Sequence, residues 1–464
     1  MKKASTIALV ILLLLASIMV AFNLPSPEVV IQSYGVIRNL KNAYYIYRND
    51  NTYQIIDLSD YSIINQGYDF ATLTNEAITS LASLGGGTVY ICPGVHDASE
   101  PIMLANNVGL MGLLNDPLHT VIKQGNISEL WYPGVIGIVD TSNVEIAYLT
   151  IDMRGTPLVN GSSWPPKGNG ITVRDDDKNN ENIYIHHVRI LGAGCYGIKT
   201  HFGTNIRISD AYIESPWWDC LNIESTNVIV ENIIGTNWGD VGLATWDAQN
   251  VIISKCIFYD PMEPPGGGST GVFGFTYEGT AGSVNVVATN VIVRGAQHGF
   301  ATYSGKRCLI ANCIFEDSGP SVLDGYGNIV IGCQFCKSSV QISGKANQVL
   351  NCKFSDSWAG IYVKADNFKI VGNEIVNTEY GIRFSGNSTN GLIKANHIYC
   401  NITPPVTRNA IDFGWQLHNE NITVIDNDFT YNGEPNFISD VLNLAESTNT
   451  NFVIKDNVGY ITEN

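Results

Sequence analysis

A nine-residue pattern of polar and apolar positions recurs along most of the chain. It reads Asn, apolar, any, apolar, any, any, small or polar, any, apolar, and its clearest copies begin at Asn250 and Asn421. Copies begin at residues 143, 182, 205, 227, 250, 285, 307, 327, 346, 367, 390, 421 and 451. Many neighbouring copies lie close to 22 residues apart, as from 205 to 227. A repeat of this length, rich in β-branched residues and interrupted by Gly and Asn, predicts a solenoid.

Each copy alternates its apolar positions with a period of two, which is typical of a strand and not of a helix. The regular Leu framework of leucine-rich repeats is missing. The pattern therefore predicts an all-β chain that forms a single-stranded parallel β-helix solenoid of about 13 or more coils. In such a fold, equivalent residues of successive coils stack about 4.8 Å apart.

The seventh position of the pattern changes from Cys to Asn along the chain. Its later members are Cys256, Val291, Cys313, Cys333, Cys352, Asn373, Asn396, Asn427 and Asn457. We expect one inward column, in which stacked Asn side chains hydrogen-bond to one another and to the turn backbone. The chain has ten Cys. We expect those in the column to be buried free thiols, because parallel Cβ vectors give poor disulfide geometry.

A second strand, opened by Gly, precedes many copies of the pattern. Alternation predicts inward side chains at Ile171, Ile198, Leu221, Phe300, Ile361 and Ile382. It predicts outward side chains at Thr172, Lys199, Asn222, Ala301, Tyr362 and Arg383. The surface formed by these outward side chains is named the first-strand face below. From Cys308 onward this face carries fewer aromatic and acidic residues, and those coils are predicted to be scaffold.

The segment before the repeats has the features of a cap. Apolar residues have helical spacing from Leu73 to Leu84, and Gly85 is a suitable stop. Residues 77–81 (AITSL) and 85–94 (GGGTVYICPG) resemble the entry segment of the pectin-lyase-like superfamily. The resemblance covers roughly residues 68–460 and implies a right-handed parallel β-helix with an N-terminal capping helix. It leaves the reaction open, because this superfamily contains hydrolases, lyases, epimerases, phage tailspikes and adhesins.

Three regions follow from these patterns. Residues 1–24 contain Lys2 and Lys3 before an apolar run at 7–22, which predicts either a signal peptide or an N-terminal membrane anchor. Residues 25–68 are predicted to be a small strand-rich region, and residues 69–464 the β-helix. Either form of the N-terminal segment directs the chain to the extracellular space or the cell surface.

The formal net charge of −17 argues against a nucleic-acid partner, because phosphates require a basic face. A polysaccharide or glycan is the expected partner, and the oligomeric state stays open. No cofactor or metal site is predicted. The run Asp175-Asp176-Asp177 could hold calcium, or it could be a solvated acidic turn.

Aromatic and charged residues concentrate on the first-strand face between Gly168 and Tyr303. The candidate catalytic residues are Asp219, Asp240, His298 and Glu224. The candidate substrate-binding residues are Lys199, His201, Trp218, Asn222, Trp238, Trp246 and Tyr303. Aromatic rings beside carboxylates suit a sugar site, because the apolar faces of sugars pack on indole rings.

Asp219 and Asp240 are 21 residues apart, about one coil. If they stack, their carboxyl groups lie roughly 5–7 Å apart, and one can act as an acid while the other stays ionised. Glycoside hydrolysis uses such a pair. Two alternatives remain: either Asp caps turn backbone, or Asp240 lies one position out of register with Asp219.

Three short segments resemble the Asp and His motifs of polygalacturonases. They are WDC at 218–220, GDV at 239–241 and QHG at 297–299. The resemblance implies paired acids on adjacent coils with an assisting His298. The chain lacks that family's Asp–Asp doublet and its Arg-Ile-Lys segment.

Three functions are consistent with the sequence. The first is a glycoside hydrolase that acts on a polysaccharide through Asp219 and Asp240. The second is a polysaccharide lyase or uronate epimerase, in which Lys199 or His201 abstracts a proton. The third is a non-enzymatic surface or adhesion protein that binds glycans.

Overall fold

The computed structural model describes residues 42–125, 134–154, 168–174, 180–262, 273–278, 282–399, 409–413, 417–431, 434–435, 442–443 and 450–459. The chain divides into two compact units, Met1–Leu191 and Gly192–Asn464. The predicted signal or anchor at 1–24 and the acidic run at 175–177 lie outside the described residues. Within those described ranges, no helix is long and apolar enough to cross a membrane.

The first unit contains helix α1, Phe70–Ser83, and strands β1 to β12. In chain order these strands are Ala43–Asn49, Thr52–Asp57, Ile63–Gly67, Gly87–Ile91, Gly94–Ala98, Ile102–Met103, Val108–Gly112, Thr120–Gln124, Ile136–Val139, Val144–Asp152, Ile171–Arg174 and Glu181–Leu191.

The second unit contains strands β13 to β43. In chain order these strands are Ile198–Glu214, Leu221–Thr236, Val241–Trp246, Gln249–Ser254, Ile257–Tyr259, Phe273–Glu278, Val284–Thr289, Ile292–Arg294, His298–Ala301, Leu309–Ala311, Ile314–Glu316, Ser321–Leu323, Ile329–Ile331, Gln334–Cys336, Val340–Lys345, Gln348–Leu350, Lys353–Ser355, Ala359–Asp366, Lys369–Val371, Glu374–Val376, Tyr380–Phe384, Ser388–Thr389, Leu392–Lys394, His397–Tyr399, Asn409–Asp412, Asn419–Glu420, Thr423–Ile425, Thr430–Tyr431, Glu434–Pro435, Leu442–Asn443 and Val453–Lys455.

Helix α1 and a small meander cap the first coil. Asp69 is the N-cap of α1 and accepts a hydrogen bond from the backbone N–H of Thr72 at 2.8 Å. The helix buries one apolar side, including Leu73 and Leu81, against neighbouring strands. Strand β1 pairs in parallel with β4. Antiparallel pairings join β1 to β2 and β2 to β3. The predicted capping helix is confirmed, and the edge of β4 is further covered by β1.

Strands of the second unit stack on the equivalent strands of the next coil. One parallel column runs through β22, β25, β28, β31, β35, β39 and β43. A second runs through β23, β26, β29, β32 and β36, and a third through β21, β24, β27, β30, β33, β37 and β42. Most of these coils therefore contribute one strand to each column, which confirms the parallel β-helix.

The first position of the sequence pattern is a bend with left-handed backbone. All thirteen positions have positive φ, from 53° at Asn367 to 68° at Gly327. Asn is common there because it tolerates this conformation better than other residues with a Cβ. Its side chain adds a link between coils: Asn250 donates to Asn227 at 3.1 Å, and Asn285 donates to Asn250 at 3.0 Å.

The seventh position forms the predicted interior column. Cys256, Cys313, Cys333 and Cys352 are buried free thiols. Beyond them the amides of Asn373, Asn396, Asn427 and Asn457 each donate or accept across neighbouring coils at 2.8–2.9 Å. The predicted change from thiols to an Asn ladder is confirmed, and so is the absence of disulfides among these four Cys.

The inward half of the first-strand alternation is confirmed, whereas four of the six positions predicted to point outward are buried: Thr172, Lys199, Asn222 and Ala301. The side chains predicted to point inward are buried: Ile171, Ile198, Leu221, Phe300, Ile361 and Ile382. In the second unit the predicted outward positions pair coil to coil, as in Lys199 with Asn222 and Tyr362 with Arg383. The first-strand face thus carries side chains in register along the coils.

We predict that Asn396→Ala destabilises the coils around it. Asn396 accepts from the backbone N–H and the amide of Asn373, and donates to the Ile370 carbonyl and to Asn427. Removing the Asn396 side chain leaves several buried polar groups without a hydrogen-bond partner, which costs about 2–4 kcal/mol of stability. Urea-dependent hydrogen exchange in coils 349–427 measures the effect.

The matched control is Asn250→Gly, which removes an exposed ladder Asn while keeping a residue that tolerates positive φ. We expect a change below about 1 kcal/mol. An equal loss for both variants would show that the interior position has no special role.

Candidate active site

Three neighbouring strands set the spacing of the predicted site. Lys199 of β13 pairs with Asn222 of β14, and His201 pairs with Glu224. Asn222 pairs in turn with Ala244 of β15. Alternate residues of a strand point to one side, so these side chains share one side of the coils; Lys199, Asn222 and Ala244 are buried there, and His201 and Glu224 are half-buried.

Glu224 joins the two cationic candidates of the preceding coil. Its Oε1 lies 3.0 Å from Lys199 Nζ, and its Oε2 contacts His201 Nδ1. Lys199 also lies over the Tyr196 ring, with Nζ 4.8 Å from the centroid. The Tyr196 ring in turn meets Trp218 edge-on at 5.3 Å. The structure therefore brings Lys199, His201, Glu224 and Trp218 together.

Asp219 directly follows Trp218 along the chain and is only 4% exposed. Its Oδ2 accepts a hydrogen bond from Asn222 Nδ2 at 2.9 Å. Burial raises the pKa of Asp219 well above its ordinary value, and the nearby charge of Asp240 raises it further. Hydrogen bonds from Asn222 and from the Val241 backbone, together with Lys199, act in the opposite direction and do not reverse the shift.

Asp240 lies one position out of register with Asp219. Leu221 pairs with Leu243, so counting back two residues places Asp219 beside Val241. The backbone N–H of Asp240 instead donates to the Trp218 carbonyl at 3.0 Å. The staggered arrangement is therefore the one that the structure contains. The two carboxyl groups still interact, because Asp240 contributes to the raised pKa of Asp219.

The three candidate Trp residues have different environments. Trp246 is 45% exposed and Trp218 is half-buried, so both reach the surface. Trp238 is fully buried, and its ring meets Phe258 edge-on at 6.0 Å. The expectation that Trp238 binds substrate is thereby corrected: its ring fills the interior at the turn before β15 and has no surface to offer a sugar.

His298 and Tyr303 lie apart from the Asp219 group. Strand β14 is separated from β21 by three successive pairings, about 14 Å at 4.8 Å per coil. The His298 Nδ1 atom donates to the Pro320 carbonyl at 2.6 Å. Both residues line a different cavity of about 600 Å³, shared with Asp324, Gln341, Lys364 and others. The resemblance to an assisting His next to paired acids is therefore not realised at His298.

Sequence reasoning missed two features of the first-strand face. Tyr196 was not a candidate, although it directly precedes the Gly that opens β13. The coils after Cys308, predicted to be scaffold, carry the cavity just described and an aromatic cluster around Trp358. A signal was present in the sequence, since Trp358 directly precedes β30 and Tyr380 is the first residue of β33.

The arrangement is suited to proton transfer on a sugar. A carboxyl group whose pKa is raised by burial is suited to give a proton, while a neighbouring carboxylate can stabilise positive charge that develops on a substrate. Lys199 and Asn222 are themselves buried and are engaged by Glu224 and Asp219, so they position these two carboxyl groups. Within the described ranges, His, Cys, Asp and Glu side chains form no group of three arranged to hold a metal ion.

A family model described as the right handed beta helix region matches residues 134–335 and 279–458. Together the two matches cover well over half of the chain. The chain belongs to the right-handed β-helix family. Comparison with curated protein sequences finds no match.

Several solved structures are similar to this β-helix protein in fold. The A-module of mannuronan C-5 epimerase AlgE4 from Azotobacter vinelandii is 14% identical with a TM-score of 0.47, over 85% of this chain and 96% of that chain. The catalytic unit of a GH87 α-1,3-glucanase from Streptomyces thermodiastaticus is 15% identical with a TM-score of 0.44, over 85% and 66%. PfbA, a surface adhesin of Streptococcus pneumoniae, is 14% identical with a TM-score of 0.39, over 77% and 84%. Similarity at this level concerns the fold and carries no information on the reaction.

We predict that Asp219 of this β-helix protein titrates above the ordinary range of an Asp, and that Asp240→Asn lowers its pKa. Removing the neighbouring negative charge makes ionisation of Asp219 easier, whereas burial still holds its pKa above 3.8. Infrared difference spectra recorded against pH should show the protonated carboxyl band of Asp219, identified by its loss in Asp219→Asn.

The band should disappear at lower pH in Asp240→Asn than in the wild type. The exposed carboxylate Asp210 provides the control, since Asp210→Asn should leave the band in place. Titration of Asp219 at an ordinary pH in the wild type would contradict the assigned environment.

Proposed function

We propose that this protein is an exported glycoside hydrolase that acts on a polysaccharide at the first-strand face. The observation that supports it best is the unequal pair of Asp219 and Asp240. One carboxyl group is buried and has a strongly raised pKa, and the other is half-buried close to it. Glycosidases need an acid and a carboxylate of this kind side by side.

In this proposal Asp219 is the general acid. Its proton passes to the glycosidic oxygen as the bond to the anomeric carbon breaks, which leaves Asp219 ionised. The carboxylate of Asp240 stabilises the positive charge that develops on the sugar ring, and a water molecule then adds to the anomeric carbon and gives its proton to the ionised Asp219, which restores the acid. Asn222 holds Asp219 in place through its 2.9 Å hydrogen bond and is therefore a positioning residue.

The residues around the pair supply binding. Trp218 and Trp246 offer partly exposed rings for the apolar faces of sugars. His201 is half-buried beside Glu224 and can donate to hydroxyl or carboxylate groups of the substrate, whereas Lys199 is buried and holds Glu224 in place. Glu224 acts in this proposal through the two cations that it orients.

A second candidate function rests on the same Glu224 contacts. A lyase or epimerase acting on uronic acids needs a base beside a cation, so that a proton next to a carboxylate can be removed. Lys199 and His201, bridged by Glu224, provide both kinds of group on one face. This reaction differs from hydrolysis in its product, so one assay separates the two functions.

We predict that the wild type releases reducing ends from at least one polysaccharide in a panel of neutral glucans, xylan, galacturonan and alginate. Asp219→Asn and Asp240→Asn should each reduce that rate by about 100- to 10,000-fold, as expected for loss of a general acid or of charge stabilisation. The measurement is reducing-end release, with ultraviolet absorbance of unsaturated sugars followed in parallel.

Asp210→Asn is the matched control. Asp210 is exposed and has positive φ, and the equivalent residue of the next coil is already an Asn, Asn232. An Asn is therefore suited to position 210. Unsaturated products would favour the lyase. Epimerised uronates without chain cleavage, detected by proton NMR, would favour the epimerase. Binding without any product would favour the adhesion protein, and each of these results would overturn the hydrolase proposal.

A further inference from the structure

An aromatic cluster lies on the first-strand face around β30 and β33. Its members are Trp358, Tyr362, Tyr380 and Arg383, and together they are named the Trp358 platform. The Trp358 ring stacks near Tyr362 at a centroid distance of 5.9 Å and meets Tyr380 edge-on at 5.2 Å. The guanidinium carbon of Arg383 lies 4.5 Å from the ring centroids of both Trp358 and Tyr380. The Trp358 ring is therefore held by three neighbours.

The interior of the fold does not require this ring. Trp358 is 50% exposed, whereas Phe315, Phe335 and Phe354 stack fully inside at centroid distances of 4.9 and 4.7 Å. A large indole that is half open to water and yet oriented by its neighbours has the properties of a binding surface. Its open half provides a flat apolar area of fixed direction.

Arg383 is fixed as well. Its Nε atom lies 3.3 Å from Oδ2 of the buried Asp412, and the Tyr380 and Trp358 rings flank its guanidinium group. Tyr362, Arg383 and Asp412 follow one another in register on three successive coils. The guanidinium group carries five N–H donors, so one contact to Asp412 leaves it capable of donating to a ligand.

The platform continues a cavity on the same face. Gln341, which lines the cavity of about 600 Å³, pairs in register with Tyr362 of the platform. Lys364 lines the cavity and follows Tyr362 by two residues on β30, so both point to the same side of the strand. An extended ligand can therefore contact the polar cavity and the open Trp358 ring together.

We propose that the Trp358 platform is a second glycan-binding subsite of this protein. A pyranose ring packs its apolar face against the open half of Trp358, while Arg383 donates to an oxygen of the same or the next sugar. That the ligand is a polysaccharide rests on the proposed function. Six successive strand pairings separate β14, which follows Asp219, from β30, about 29 Å at 4.8 Å per coil. The platform thus holds a polymer well away from the reacting bond.

The test is calorimetric binding of four hexasaccharides, two neutral (gluco- and xylo-) and two uronic (galacturono- and mannurono-), to the Asp219→Asn protein and to wild type. We expect Trp358→Ala to weaken binding of at least one hexasaccharide about tenfold or more, which corresponds to about 1.4 kcal/mol. Trp358→Phe should retain most of the affinity, because a ring remains. Which sugars respond shows whether Arg383 recognises hydroxyl or carboxylate oxygens.

Tyr326→Ala is the matched control, because Tyr326 is 55% exposed and does not belong to the platform. It should leave affinity unchanged. Equal affinities of Trp358→Ala and the parent protein for every hexasaccharide, or no binding of any of the four, would overturn the inference.

Kinetics separates this inference from the proposed function. On a polysaccharide, Trp358→Ala should raise KM with little change in kcat, whereas Asp219→Asn should reduce kcat. Loss of hydrolysis in Asp219→Asn with unchanged binding in Trp358→Ala would leave the hydrolase standing and remove the subsite. Binding that depends on Trp358, without hydrolysis of any substrate, would support the subsite and overturn the hydrolase proposal.

Discussion

Backbone hydrogen bonds between successive coils are the interaction on which the rest of this protein depends. Most strands of the second unit pair in parallel with the equivalent strand of the next coil, as β25 does with β28. Parallel pairing at about 4.8 Å places each position of the repeat on its counterpart. The bends must then occur at the same point of every coil. That requirement explains why the anchor positions all have positive φ and why so many of them are Asn.

The same stacking buries backbone N–H groups at the bends, and side chains of the interior column accept hydrogen bonds from them. At the bend, a backbone N–H of one coil points toward the side chain of the next. The backbone N–H of Cys313 donates to the sulfur of Cys333 at 3.4 Å, and the backbone N–H of Cys352 donates to the side-chain oxygen Oδ1 of Asn373 at 2.9 Å. Sulfur is a weak acceptor and an amide a strong one, but both satisfy the same buried donor. Thiol and amide are therefore two solutions to one requirement.

On the outer surface the stacking decides which side chains lie next to one another, but it does not decide what they do. Register brings His201 beside Glu224 and Tyr362 beside Arg383. Turns between the strands break this regularity, so Asp240 is offset from Asp219 and Trp238 points inside. The result is a face with two separate groups of polar and aromatic side chains, one around Asp219 and one from the His298 cavity to Trp358. A long surface of this kind suits a polymer better than a small molecule.

The repeat pattern was enough to predict the strands, the parallel stacking, the inward Ile and Phe positions and the change from Cys to Asn. These features depend on period and on position within a coil, and both can be read along the chain. The pattern could not predict where residues between the strands would point. The register of Asp240, the burial of Trp238 and the Arg383 contacts with Trp358 and Tyr380 arise where turns differ in length and where rings from neighbouring coils pack together. Those outcomes depend on three-dimensional packing, because nothing in a strand's alternation specifies the path of the turn that precedes it.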